Sequence, residues 1–201
     1  MKTTADIGIL ILAAGASTRM GSPKQLLPWK HTTLLGNAIE QAEKVSQHVK
    51  VVLGANSALI QEQLKNRAIG IINDDWQKGM GASIAFGVSE MLKTKGYDGI
   101  LIMLADQPFV DAAYLTKLMH CFKNESYKIV GTNYDKGVGV PAVFHSTVFT
   151  ELQQLHEDYG ARKLMKSYRQ ELLGIDANGK TVDVDTKEAY DNLIHKKAKP
   201  K

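Results

Sequence analysis

The segment from residue 14 to 28 carries residue types that suit the binding of phosphate. Gly15 and Gly21 lie in it, with Arg19 between them and Lys24 after them. Glycine lets backbone N–H groups turn towards an anion, arginine offers phosphate a forked donor, and lysine offers a point charge. The spacing matches neither Gly-Lys-Ser/Thr of the Walker loop nor Gly-x-Gly-x-x-Gly of dinucleotide-binding folds. The alternative is an ordinary strand–turn–helix connection with solvated cations.

A carboxylate follows a second strongly apolar segment. Asp106 comes just after the run from 99 to 104, and Pro108 ends that run. A charge at the tip of a buried strand is costly unless it has a cationic partner, and Mg²⁺ prefers oxygen ligands. Asp106 is therefore a candidate magnesium ligand if it lies beside the phosphate-binding loop. The alternative is a turn or helix-capping aspartate, although Asp111 is the better cap for the next helix.

Two more aspartates lie near the end of the chain, in the alternating segment Val182-Asp183-Val184-Asp185. The alternation predicts a short strand over 181–184 with both carboxylates on one face. Either Asp185 or Thr186 is expected to cap the closing helix. A purely structural role for both aspartates is the alternative.

The elements that must position these groups alternate along the chain. Apolar runs predict strands, and 3.6-residue periodicity with capping residues predicts helices between them. The predicted strands are 7–13, 49–54, 68–73, 99–104, 128–131, 138–144 and 181–184; the predicted helices are 33–46, 57–65, 81–92, 112–123, 146–155, 160–169 and 186–195. This order predicts a three-layer α/β fold with a mostly parallel central sheet. Ligands of such sheets bind beyond the carboxyl ends of the strands.

The segment 12–28, Leu-Ala-Ala-Gly-Ala-Ser-Thr-Arg-Met-Gly-Ser-Pro-Lys-Gln-Leu-Leu-Pro, resembles the signature loop of nucleotidyltransferases with the glycosyltransferase-A-like Rossmann fold. The molybdenum cofactor cytidylyltransferase group is most similar. Leu-Ala-Asp-Gln-Pro at 104–108 and Gly-Ala-Arg at 160–162 resemble the same group, and the likeness extends from residue 6 to 194. The resemblance implies a Rossmann-like nucleotidyltransferase fold and the transfer of a nucleotidyl group with release of pyrophosphate.

The resemblance also implies a nucleotide site. In it Arg19 and Lys24 neutralise the phosphates that leave as pyrophosphate, and Asp106 binds Mg²⁺. One of the two late aspartates completes the metal site; Asp183 is favoured, and Asp185 is then the helix cap. The implied nucleotide-binding residues are Leu12, Ala13, Ala14, Gly15, Arg19, Lys24, Gly79, Ser83 and Asp106. Ala-Ala-Gly at 13–15 is typical of relatives that use CTP, whereas relatives that use GTP tend to have Ala-Gly-Gly.

The implied acceptor is the phosphate of molybdopterin, held near Gly139, Pro141 and Arg162, with a molybdenum hydroxylase apoenzyme as a further partner. Val140 stands where the family usually has a polar residue, which affects the choice of acceptor. One alternative is a cytidylyl- or guanylyltransferase acting on another small phosphorylated acceptor, such as a methylerythritol phosphate or a sugar phosphate. Another is a non-catalytic carrier or insertion chaperone for the molybdenum cofactor.

Composition excludes several other classes. The 201 residues suit one domain, expected over 1–195, and the net charge of +4 is carried by four lysines in 196–201, which we expect to be a flexible tail. Without that tail the charges balance, so we expect no nucleic-acid partner. No apolar run reaches the ~18 residues of a membrane span. The single cysteine favours the reducing cytoplasm.

Overall fold

The computed structural model describes residues 5–64, 69–156 and 158–197. Its strands are β1 (Ile7–Leu12), β2 (Pro28–Trp29), β3 (Thr32–Thr33), β4 (Val49–Leu53), β5 (Ile69–Ile72), β6 (Gly99–Leu104), β7 (Ile129–Tyr134), β8 (Gly137–His145) and β9 (Leu172–Ile175). Its helices are α1 (Leu34–Glu43), α2 (Ser57–Leu64), α3 (Met80–Leu92), α4 (Ala112–Asn124), α5 (Phe149–Gln153), α6 (Arg162–Ser167) and α7 (Lys187–Lys197).

Within these described residues, seven strands form one central sheet in the order β5-β4-β1-β6-β8-β7-β9. Strand β8 runs antiparallel to both of its neighbours, and the other pairings are parallel. β2 and β3 form a separate two-stranded ribbon. The sequence prediction of a mostly parallel sheet is confirmed.

Strand β1 shows why the sheet has helices on both faces. Its six residues are all buried, and alternate side chains enter different cores. Ile9 and Ile11 pack with residues of α1, α2 and α4, whereas Leu10 and Leu12 pack with residues of α3, α5 and α6. A strand buried on both faces needs a continuous apolar sequence, which is why the run at 7–12 was readable. The three-layer fold follows.

Side-chain caps begin α1 and α4, and the cap of α4 by Asp111 was predicted. The Thr33 hydroxyl accepts a hydrogen bond from the Gly36 N–H at 3.0 Å, and the Asp111 carboxylate accepts one from the Tyr114 N–H at 2.9 Å. Each cap satisfies a backbone donor that the first helical turn leaves free. No helix in the described ranges is long and apolar enough to span a membrane.

The prediction of a strand over 181–184 is wrong. That segment has no regular structure, and the last strand is instead β9, which pairs with β7 and was missed. Val184 donates its N–H to the backbone oxygen of Asp106 at 3.0 Å, so the segment lies across the tip of β6. Asp185 is not the cap of α7, because the Thr186 hydroxyl accepts from the Ala189 N–H at 3.1 Å.

Candidate active site

A cavity of about 440 Å³ opens beyond the carboxyl ends of β1 and β6. Eight of the nine residues predicted to bind the nucleotide line it: Leu12, Ala13, Ala14, Gly15, Lys24, Gly79, Ser83 and Asp106. Arg19 is the exception. The position matches the rule that open α/β sheets bind ligands beyond the ends of their strands. We call this the nucleotide cavity.

The first loop, residues 14–28, is folded around a buried side chain that the sequence had not singled out. Gln25 is 2% exposed, and its Nε2 donates to the backbone oxygens of Ala13 and Gly15 at 2.9 Å each. The Ser17 hydroxyl accepts from the Lys24 N–H at 3.1 Å. These bonds shape the loop without using Lys24 Nζ, which is left to contact the carboxylates of the cavity wall.

Lys24 carries its charge into the cavity wall. Its Nζ contacts a carboxylate oxygen of Asp106 and lies 2.9 Å from an oxygen of Asp185. Burial alone would lower the pKa of Lys24, but the two carboxylates outweigh it and hold that pKa above its ordinary value. Lys24 therefore stays protonated at neutral pH.

Asp185 joins this cluster in place of the capping role predicted for it. Its second oxygen lies 3.3 Å from the Arg19 guanidinium, whose side chain is 69% exposed at the edge of the loop. Burial would raise the pKa of Asp185, but Lys24 and Arg19 lower it. The two cations predicted to bind phosphate are thus held on one carboxylate, within a single cluster.

Asp106 has one oxygen left over. Its Oδ2 is taken by Lys24, whereas its Oδ1 is buried and has no hydrogen-bond partner among the described residues. A buried carboxylate oxygen without a partner is costly, and a hard cation would satisfy it. The donor set here consists of carboxylate oxygens, which fits a divalent cation such as Mg²⁺. No group of three or more His, Cys, Asp or Glu side chains in the described part of the chain could hold a metal alone.

Asp183 lies on the other side of Asp106, in a separate hydrogen-bond set. Gln107 is 2% exposed, and its Nε2 donates to Asp183 Oδ1 and to the Tyr134 hydroxyl, both at 2.9 Å. The Tyr134 hydroxyl donates to the backbone oxygen of Val140. Burial and the nearby charges of Asp106 and Asp185 raise the pKa of Asp183, while burial raises the pKa of Tyr134 to about 12.

A second cavity of about 190 Å³ adjoins the first and shares Met80, Leu104 and Asp158 with it. Of the predicted acceptor residues, Gly139 and Arg162 line this cavity and Pro141 does not. Asp183 lines it as well, whereas Asp106 lines the nucleotide cavity, and the two carboxylates are close enough for the charge of Asp106 to raise the pKa of Asp183. We call it the acceptor cavity.

The start of α3 forms the far wall of the nucleotide cavity. Gly79 has φ +99°, and a Cβ there would lie 2.0 Å from an oxygen of Asp158. Both observations require glycine. Ser83 does not cap α3; it is buried, and its hydroxyl accepts from Asn73 Nδ2 at 3.2 Å. Asp158 and Met80 were missed as site residues because neither sits in a phosphate-binding pattern.

Comparisons with known proteins agree with this geometry. A family model described as the MobA-like NTP transferase domain matches residues 9–172. The chain is similar to the purine catabolism protein PucB of Bacillus subtilis (strain 168), with 32% identity over 206 residues, 95% of this chain and 97% of that protein. It is also similar to nicotine blue oxidoreductase of Paenarthrobacter nicotinovorans, with 37% identity over 114 residues, 55% of this chain and 54% of that protein.

Among solved structures, the chain resembles Rv0371c from Mycobacterium tuberculosis H37Rv, with a TM-score of 0.82 and 32% identity over 96% of this chain and 99% of that one. A second structure of Rv0371c, in complex with manganese, gives a TM-score of 0.76 and 30% identity over 94% and 98% of the two chains. These likenesses extend over nearly all of both proteins.

Proposed function

The chain belongs to the MobA-like NTP transferase family, and on that premise we propose that it transfers CMP from CTP to the phosphate of molybdopterin and releases pyrophosphate. The observation that carries the proposal is the placement of Lys24 and Asp106 on the wall of one cavity, at the end of the central strands. Phosphoryl and nucleotidyl transfer need little covalent chemistry from the protein, and depend on positioning and on neutralising charge.

The protein's own cations supply that neutralisation. We propose that Lys24 and Arg19 move from Asp185 to the β- and γ-phosphates when the triphosphate binds, so that the departing pyrophosphate is stabilised. An oxygen of the acceptor phosphate forms the new bond to the α-phosphorus as the bond to the bridging oxygen breaks. No general base is needed, because a phosphate monoester with a second pKa of about 6 is already an anion near neutral pH.

The oxygen ligands at the strand tip support a Mg²⁺ ion held by Asp106 and Asp183. Such an ion would polarise the phosphate oxygens and neutralise charge that develops on them. The orphaned Asp106 Oδ1 is the group that gains most from it. The manganese complex of Rv0371c supports a divalent cation at this fold without selecting which one. The triphosphate would complete the coordination, since Mg²⁺ sites commonly use one or two carboxylates together with substrate phosphates.

The choice of CTP rests on Ala14. Ala14 lines the nucleotide cavity and is 7% exposed. A methyl group at this position narrows the space beside the loop, which disfavours a purine more than a pyrimidine. Steric selection of this kind changes the difference in transition-state binding free energy between two nucleotides by only ~1–3 kcal/mol.

The lining of the acceptor cavity supports a ring-bearing acceptor over a polyol. Ile84, Leu104, Val140, Ala161 and Met165 give it apolar walls, and polar groups stand beside them: Gln107, Tyr134, Asp158, Tyr159, Arg162 and Asp183. A pterin uses both, because its planar ring packs on apolar walls and its ring nitrogens and oxygen need hydrogen-bond partners, whereas an erythritol or a sugar has no planar ring for the apolar walls. Val140 in place of a polar residue acts in the same direction.

An oxidoreductase function, suggested by the name of one relative, has no support in the described site. The first loop lacks the Gly-x-Gly-x-x-Gly pattern of dinucleotide-binding folds. A cofactor carrier would use the same cavities without turnover.

The test is an assay of pyrophosphate release with Mg²⁺, each of the four nucleoside triphosphates, and molybdopterin, methylerythritol phosphate or a sugar phosphate as acceptor. The proposal expects turnover that is highest with CTP and molybdopterin. Tight binding of molybdopterin with no pyrophosphate released from any triphosphate would make the protein a carrier. Turnover with another acceptor only would keep the reaction and replace the acceptor.

A further inference from the structure

A third concave surface adjoins the acceptor cavity and plays no part in the reaction described so far. It is a groove of about 560 Å³ whose apolar floor is made by Val138, Met165 and Leu172. Five cationic residues line its walls: Lys136, Arg162, Lys163, Lys166 and Arg169. No acidic residue among the described ones lines it. We call it the basic groove.

The positive charge of the basic groove is largely uncompensated. Lys136, Arg162, Lys166 and Arg169 are exposed, and none of them forms an ion pair with a carboxylate in the part of the chain that the structure describes. Elsewhere lysines do find carboxylates, as Lys128 does at 2.9 Å from Glu171. Like charges gathered on a concave surface repel one another and attract an anion.

The basic groove is continuous with the acceptor cavity. Tyr159, Arg162 and Met165 line both, and Tyr159 is 70% exposed where they meet. A molecule that fills the smaller acceptor cavity therefore extends into the groove if it is longer than that cavity. The groove alone has the volume of an ordinary ligand site, about 300–1,000 Å³.

We propose that the basic groove binds a second anionic group of the acceptor, on the side away from the phosphate that reacts. The inference rests on the proposed function and deepens it, since it makes the acceptor an elongated molecule with negative charge at both ends. Arg162, at the junction, belongs to both sites, whereas Lys166 and Arg169 serve the groove alone.

Charge balance favours this small anion over a nucleic acid. Apart from the four lysines of the last six residues, the chain has as many acidic as basic residues. A nucleic-acid surface needs cations spread along a face or stripe, whereas here they surround one groove that joins a substrate cavity.

The experiment compares two matched series of probes by calorimetry: alkyl monophosphates and α,ω-alkanediol bisphosphates of equal chain length. The full chain is first saturated with Mg²⁺ and a non-hydrolysable CTP analogue, so that the nucleotide cavity is filled. At the chain length that spans the two sites, the second phosphate should tighten binding about tenfold or more, the effect of one charge-assisted contact. The double variant Lys166→Glu/Arg169→Glu should lose that gain and bind the monophosphates as the wild type does.

The matched control is Lys44→Glu/Lys117→Glu, which makes the same change in net charge at exposed positions outside the groove. This control should still bind the bisphosphate more tightly than the monophosphate, as the wild type does. Equal affinity for the two series at every length, or a gain that survives in Lys166→Glu/Arg169→Glu, would overturn the proposal, as would equal loss in the control. Binding of the CTP analogue is measured first in the same samples; its failure contradicts the proposed nucleotide site and is distinct from a failure of the groove.

Discussion

Lys24 and Asp106, which are 82 residues apart in the chain, form an ion pair on the wall of the nucleotide cavity. The pair joins the first loop to the tip of β6 before any nucleotide is bound. It also places a protein cation on the carboxylate that we propose to bind the metal. On the proposed function, nucleotide binding would release Lys24 to the phosphates and leave Asp106 to hold the metal.

Replacing Lys24 with methionine tests this exchange. Lys24→Met keeps an unbranched side chain that is one atom shorter but leaves Asp106 and Asp185 without their shared cation, so the free energy of unfolding should fall by about 3 kcal/mol. Added Mg²⁺ should restore more stability to this variant than to the wild type, because Lys24 no longer competes for Asp106. Denaturant titrations with and without Mg²⁺ measure both effects, with the exposed Lys44→Met as control. Equal Mg²⁺ stabilisation of variant and wild type would contradict the exchange.

A substitution at Gly15 should affect binding of the triphosphate without affecting the stability of the fold. A Cβ at Gly15 meets no atom within 4 Å, and the backbone there does not need glycine. Gly15→Ala should leave the melting temperature unchanged and raise KM for the triphosphate, because the methyl would lie in the nucleotide cavity. Gly96→Ala, equally open but away from both cavities, is the control and should change neither. If KM stays at the wild-type value in Gly15→Ala, the triphosphate does not approach this backbone.

Base selection is predicted to depend on Ala14. The ratio of kcat/KM for CTP to that for GTP should exceed one in the wild type and fall in Ala14→Gly by up to roughly 10 to 200-fold, the range for small steric changes. Steady-state kinetics with all four triphosphates and one acceptor measure the ratio. A wild-type ratio of one or less would show that CTP is not the preferred nucleotide. An unchanged ratio in Ala14→Gly would show that the Ala14 methyl group does not select between the two bases.

The Asp111 cap of α4 should make the free energy of unfolding depend on pH, at a position outside the candidate active site. Partial burial would raise the pKa of Asp111, but the Lys180 ammonium and the Tyr114 N–H hold it below its ordinary value. A lowered folded-state pKa adds stability above the ordinary value of about 3.9, and that stability is lost as the pH falls through the folded value. Asp111→Asn keeps the cap and removes the charge. At pH 7 it should cost at most ~1 kcal/mol, since the Lys180 pair is exposed.

The cost of Asp111→Asn should shrink as the pH falls below about 3.9. Urea titrations from pH 7 to pH 3 measure it, with the exposed Asp191→Asn as control. A cost that stays constant over this range would mean that the ion pair with Lys180 does not stabilise the fold.

Local sequence was sufficient to predict elements whose structure depends on burial of a continuous apolar run or on a helix cap. The run at 7–12 is buried on both faces, and Thr33 and Asp111 cap helices through bonds to residues three positions later. Such features depend on neighbours in the chain. The first loop was identified for the same reason, since its glycines and cations are close in sequence.

Contacts between residues that are far apart in the chain could not be predicted from the sequence. Val182 to Asp185 alternates like a strand, but its residues are held by separate partners: Asp183 by Gln107, Asp185 by Lys24. Strand β9 is four residues long and only half-buried at the edge of the sheet, so its apolar pattern is weak. Gln25 was missed because its side chain donates to backbone oxygens of its own loop, and no residue pattern predicts such bonds.

We propose Asp106 as the ligand of the metal that assists nucleotidyl transfer in the nucleotide cavity. This role is tested by Mg²⁺-dependent pyrophosphate release from CTP with molybdopterin, in the wild type, in Asp106→Asn and in the exposed control Asp191→Asn. The variant keeps the volume of the side chain and removes its charge, so turnover should fall by at least ~100-fold, as for the loss of one preorganised electrostatic contact, while the protein stays folded and the control stays active. Near-wild-type turnover in a folded Asp106→Asn protein would contradict this role of Asp106.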